Sequence, residues 1–329
     1  MRQYALWRHV EAHPLTAAGL AFSCLAVVLL FLSGLHDVIN GRPDENMRYA
    51  LWGGFAGFAL TTIGALPGLV LKSLPQRIED TLLGLAAGMM LAASSFSLIL
   101  PGIKAGETLT GSAFLGATTV VLGMALGVML MLGMDEFTPH EHTKTGTYGP
   151  ESHRVNRIWL FVLAIALHNL PEGMAIGVSF AQGDLQVGIP LTSAIAMQDI
   201  PEGLAVVMAL RGIGYSPFKS VAIASLTGLL EPLGSIIGIT LSSGLAIAYP
   251  IGLGLAAGAM IFVVSNEVIP ETHRNGHQKF ATIGLVAGFA LMMTLDTTLG
   301  KYANISASIP QSFLHSWQAD LVSKHKSAA

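Results

Sequence analysis

The stretch His168-Asn169-Leu170-Pro171-Glu172-Gly173 returns thirty residues later as Gln198-Asp199-Ile200-Pro201-Glu202-Gly203. Both copies read polar, polar, aliphatic, Pro, Glu, Gly, and each sits in an apolar run of about 20 residues, the length of a helix that spans a bilayer. Residues i and i+4 share a helix face, so His168 with Glu172, and Gln198 with Glu202, can grip one ion together. Asn169 and Asp199 point about 100° round the helix and can serve a second, adjacent ion. Each Pro lacks an N–H and clashes with the carbonyl four residues back, which predicts an opened helix whose loosened carbonyls face a cation or water. Two proline sites in matching positions, each carrying a carboxylate, are a more specific signal than one kink.

Working outward, the whole chain supports that setting. Of 329 residues, 52% are hydrophobic and 11% charged, with a mean hydropathy of +0.61. Soluble domains carry about 25% charged residues, so a soluble enzyme and a disordered chain are excluded. The net charge of −3 leaves no basic stripe for phosphates, so nucleic acid is excluded as a partner. Cys24 is the single cysteine, which excludes an intramolecular disulfide and a thiolate cluster. The 37 Gly suit membrane helices, where small residues let backbones approach. The fold class is all-α, a polytopic transmembrane bundle in contact with the lipid bilayer.

Nine stretches are long enough to span: 15–35, 49–71, 81–103, 109–134, 158–181, 186–210, 220–241, 245–266 and 280–299. The first is read as a retained helix, because its apolar run exceeds that of a leader peptide and no A-x-A site follows it. With the N-terminus inside, the inner connections hold eleven Lys and Arg and the outer ones six, which places the N-terminus in the cytoplasm and the C-terminal tail outside. The longest inner connection, 135–156, carries His140, His142 and His153 and reads equally as a solvated, flexible linker or a weak metal-collecting loop. His273 and His277 read as solvated loop residues.

Six carboxylates, Glu172, Asp199, Glu202, Glu231, Glu267 and Asp296, fall in the last five spans without a Lys or Arg at their depth. Each costs about 2.5–3.5 kcal/mol at a helix centre. Buried acids without basic partners either stay protonated or bind a cation. Imidazole with carboxylate and amide oxygens suits Zn, Fe or Mn in the divalent state, whereas an all-oxygen set favours Mg or Ca.

These residues resemble the ZIP family of divalent metal transporters, the Zrt/Irt-like proteins. HNLPEG in one helix followed by QDIPEG in the next is that family's central signature, and the stretch GMMLAASSFSLILPG, Gly88 to Gly102, is similar to its bacterial members. The resemblance covers about 48–300 and implies eight core helices, with 15–35 as an additional N-terminal one. The chain then divides into an N-terminal segment (1–47), a transporter domain (48–300) and a polar tail (301–329).

The resemblance further implies a binuclear site. His168, Glu172, Gln198 and Glu202 look like ligands of a first metal, with Met90 as a thioether neighbour, although Met89 and Met90 are more often packing residues than ligands. Asn169, Asp199, Glu202 and Glu231 look like ligands of a second, with Glu172 and Glu202 bridging. It also suggests an exit route through Asp135, Glu267, Asp296, His140 and His142. Two departures stand out. Asn266 precedes Glu267 where close relatives often carry histidine, and Lys104 follows PGI at the outer mouth, where a cation repels incoming metal and Glu107 is the nearby compensating charge.

The expected function is import of divalent transition-metal ions, foremost Zn2+ as transported substrate, into the cytoplasm across a cell membrane, the inner membrane in a bacterium. Carriers or channels selective for Fe2+, Mn2+ or Cd2+, or of broad specificity, are the alternatives, and a homodimer is a candidate assembly. An intramembrane metalloprotease would need H-E-x-x-H, but Asn169 follows His168. A proton-coupled carrier of an organic solute would need aromatic pocket walls, and only 7% of the chain is aromatic. The chain has no GxxxxGK[ST] phosphate loop, so transport is expected to be gradient-driven and the protein not an enzyme.

Overall fold

Among the described residues, eight helices long and apolar enough to cross a membrane follow one another: α1 (Glu45–Leu69), α2 (Gln76–Thr110), α3 (Ala113–Met134), α4 (Ile158–Phe180), α5 (Leu185–Gly212), α6 (Pro217–Ser242), α7 (Ala248–Thr272) and α8 (Gln278–Leu299). The computed structural model describes residues 44–137, 140–142, 146–148, 157–242, 245–273 and 276–308, with isolated positions between 14 and 40. The eight helices match the last eight sequence stretches. The stretch 15–35 and the tail from 309 lie almost wholly outside the described residues.

The helix ends follow local chemistry. Asp44 caps α1 by accepting from the Met47 N–H at 2.7 Å, and Asp184 caps α5 by accepting from the N–H groups of Gln186 and Val187. Gly111, at φ 71°, ends α2 in the left-handed conformation that glycine adopts without strain. Within the expected linker 135–156, residues 135–137 prolong the preceding helix, and beyond them lies an antiparallel hairpin of β1 (His140–His142) and β2 (Gly146–Tyr148), pairing His140 with Tyr148 and His142 with Gly146. Thr147 and Tyr148 are strand-favouring residues, which the polar composition of the loop obscured.

Four close helix pairs build the bundle: α2 with α8, α3 with α7, α4 with α6, and α1 with α5. Glycines set the spacing from both sides. A Cβ added at Gly173 would overlap the Glu231 carbonyl, and one at Gly238 would overlap the Met174 carbonyl, so α4 and α6 meet backbone to backbone. The same reciprocity joins Gly88 and Gly288 to the carbonyls of Leu285 and Leu85. α5 is the most enclosed helix, whereas α3 and α8 turn large apolar side chains such as Val121, Met129, Ile283 and Val286 outward, as helices facing lipid do.

The prolines correct one expectation. α4 and α5 run without interruption through Pro171 and Pro201, so the paired motifs do not open their helices. The irregular turns lie elsewhere. α2 carries a π segment at Ala93–Ile99 just before Pro101, and α7 carries one at Val264–Val268 just before Pro270. In each, the closing N–H reaches back five residues (Leu100 to Ser95, Ile269 to Val264), and the widened turn removes the i−4 carbonyl that the proline ring would strike. α6 steps at Leu229, shortly before Pro232. α2 then continues past Pro101 to Thr110, seven residues beyond the sequence expectation.

Candidate metal centre

The paired motifs face each other across α4 and α5. Because α4 and α5 stay helical through the prolines, the i, i+4 spacing holds, and His168, Asn169, Glu172, Gln198, Asp199, Glu202 and Glu231 are all 3% exposed or less. Glu172, Asp199 and Glu202 each place a carboxylate oxygen within 4.8 Å of the others. Glu231, on the second half of α6, enters beside them: a Cβ added at Gly57 of α1 would overlap the Glu231 carboxylate and stand 3.0 Å from Asp199 Oδ2. Gln198 Nε2 donates to Glu172 Oε1, and Thr61 Oγ1 donates to Glu231 Oε1 at 3.1 Å.

The atoms left over define the chemistry. Glu172 Oε2, both oxygens of Asp199 and of Glu202, Glu231 Oε2, Asn169 Oδ1 and Gln198 Oε1 are buried without a hydrogen-bond partner. Native interiors leave few such atoms. His168 Nε2 lies 3.1 Å from Glu267 Oε2 on α7, within ion-pair distance, and its Nδ1 is buried without a hydrogen-bond partner. Among the described residues, every Lys and Arg lies in a connection or within about two turns of a helix end. Lone pairs of carboxylate, amide and imidazole thus converge in a buried interior without a fixed positive charge, a donor set that divalent transition metals satisfy.

The remaining candidates separate. Glu267 joins the cluster through His168, and Asn266 beside it leaves its Nδ2 unpaired. Met90 lies in the main apolar core with Met89, Leu98 and Leu191. Asp296 does not lie with Glu267. It lines a cleft of about 800 Å3 with Tyr249 and Pro250 at the start of α7, whereas Glu267 is near the end of that helix. α8 runs antiparallel to α7, so its last turns reach the opposite end of the bundle, and Asp296 accepts from Ser97 Oγ there at 2.6 Å. Lys104 and Asp184 line the same cleft. The side chains of Asp135, His140 and His142 lie outside the described residues.

Residues that the sequence left unassigned also appear. His277 is not a plain solvated residue: its Nδ1 is 2.9 Å from Oδ2 of the buried Asp80, whose Oδ1 accepts from Gln76. His273 holds the Ile269 carbonyl at 2.9 Å. Thr61 and Gly57 sit against the acids, and the i, i+4 spacing of two small residues on α1 was the available signal for a close-packed face.

The family described as ZIP Zinc transporter matches this chain over residues 139–296. The zinc transporter ZIPB of Bordetella bronchiseptica is 61% identical over 290 residues, covering 88% of this chain and 94% of that protein. The zinc transporter GufA of Myxococcus xanthus is 40% identical over 243 residues, 73% of this chain and 94% of its own. The human zinc transporter ZIP11 is 30% identical over 343 residues, covering 79% of this chain and 99% of that protein. Similarity that extends through the four-helix acid cluster and almost the full length of these relatives places the chain in one family: it belongs to the ZIP transporters, multi-pass proteins of the membrane.

Proposed function

We propose that this protein carries divalent transition-metal ions, foremost Zn2+, across a membrane and into the cytoplasm. The observation that carries the reading is the convergence of Glu172, Asp199 and Glu202 within 4.8 Å, with buried oxygens that lack partners. The three relatives are named zinc transporters, which supports Zn2+ as the cargo.

In this reading two ions are held. His168, Glu172, Gln198 and Glu202 hold one, and Asn169, Asp199, Glu202 and Glu231 hold the other, with Glu172 and Glu202 shared. The partnerless amide oxygens of Asn169 and Gln198 fit this role, since a metal takes the oxygen and not the NH2. Cargo charge offsets the clustered negative charge, so loading lowers the barrier to moving the site past lipid. A mixed set of imidazole, amide and carboxylate binds firmly enough to select and weakly enough to release.

The positive-inside count supports an N-terminus in the cytoplasm and the tail outside, which makes the cleft of Lys104, Asp184 and Asp296 the outer mouth. Ions then leave past Glu267 towards the connection at 135–156. The segment 1–47 adds one helix to a transporter domain of 48–300, the assembly is a homodimer, and in a bacterial cell the location is the inner membrane.

Uptake of Zn2+ into proteoliposomes by wild type, Glu202→Ala and His168→Ala tests this. Both variants are expected to lose most of the flux while remaining folded, and unchanged flux in both would remove the assigned site.

A further inference from the structure

We propose that Thr61 is a positioning residue for Glu231, and that Thr61 and Gly57 form the α1 wall of the second ion's subsite. The inference rests on the two-ion reading above and assigns that subsite a helix outside the paired motifs.

Thr61 is 1% exposed, and its hydroxyl lies 3.1 Å from Glu231 Oε1 and 3.1 Å from the Gly57 carbonyl. A hydroxyl has one proton, so it donates either to its own helix or to the acid across the gap. Donation to Glu231 occupies Oε1 and leaves Oε2 without a partner. That free oxygen fills the notch at Gly57, where any Cβ would overlap it and where Asp199 Oδ2 also arrives. The hydroxyl therefore presents one carboxylate oxygen, at a fixed angle, to the place where Asp199 presents its own.

Thr61 is itself clamped. A Cβ on Gly203 of α5 would overlap the Thr61 carbonyl, and one on Gly228 of α6 would stand 2.9 Å from Thr61 Cβ. Two neighbouring helices, α5 and α6, close on this residue of α1, so its hydroxyl has little freedom to point elsewhere. An oriented donor of this kind lowers the reorganisation that binding requires.

The test is the Zn2+ content of the purified full-length protein, titrated in detergent and read by elemental mass spectrometry. Wild type and Thr61→Ser, which keeps the hydroxyl, are expected to hold two ions per chain. Thr61→Val keeps the shape and loses the donor. It is expected to retain the first ion, with the second weakened about tenfold, the scale of one hydrogen bond to a charged group. Gly57→Ala, whose added Cβ overlaps the Glu231 carboxylate, is expected to lose the second ion outright, and an ion retained at the first site shows that each variant is folded. If Thr61→Val is not recovered folded, Thr61→Ala against Thr61→Ser makes the same comparison. Two ions at wild-type affinity in the variant lacking the hydroxyl would overturn the positioning role and leave the transport reading intact. A wild type that binds no Zn2+ would overturn both.

Discussion

The interior acids fall into two groups that burial does not distinguish. Asp80, 1% exposed near the start of α2, has both oxygens engaged, one by Gln76 and one by His277 of the chain entering α8. Asp199, also 1% exposed in the middle of α5, has neither oxygen in a hydrogen bond. The first acid joins the starts of α2 and α8. The second lies among other acids and has stabilising partners only when a cation or proton arrives. A buried carboxylate is thus no sign of a binding site by itself; the sign is a buried carboxylate with nothing to bind.

The contrast predicts opposite signs for removing charge. Asp199→Asn is expected to cut Zn2+ flux by more than about tenfold, the cost of losing a charged ligand. In metal-free protein it should raise stability by about 1 kcal/mol, because functional sites trade stability for activity. Flux assays and thermal unfolding with a chelator check the pair, and a destabilised variant would contradict the contrast. Asp80→Leu is expected to act the other way. It strands His277 and Gln76, lowers stability by about 1–3 kcal/mol and leaves the Zn2+ content unchanged, as read by unfolding and metal analysis. The smallest effect is expected at the cleft, where Ser97→Ala removes one donor from the half-buried Asp296. A loss of about 1 kcal/mol with the Zn2+ content unchanged would mark Asp296 as a partnered acid, distinct from the cluster.

The convergence of the paired motifs was legible in the sequence because its information is local. His168 with Glu172 and Gln198 with Glu202 need only the helical repeat, and that repeat survives in both helices. Eight spans were legible from length and apolarity. What escaped depends on contacts between distant segments: Asp80 with His277, Ser97 with Asp296 and Thr61 with Glu231 are pairs that no spacing rule joins. The prolines misled because a proline reports a missing hydrogen bond and not how the helix absorbs it. Pro171 and Pro201 are carried by continuous helix, while the irregular turns gather before Pro101 and Pro270. Asp296 misled because the resemblance placed it with Glu267 on one exit route, although α7 and α8 run in opposite directions.

The π segment at Ala93–Ile99 also ties chain length to proline. Such a turn stores one surplus residue while leaving the flanking helix faces in phase. A chain with a single deletion there would keep its faces aligned but would hand Pro101 an ordinary turn and the carbonyl it now avoids. Shortening at this point therefore requires replacement of Pro101, and Val264–Val268 with Pro270 obeys the same constraint.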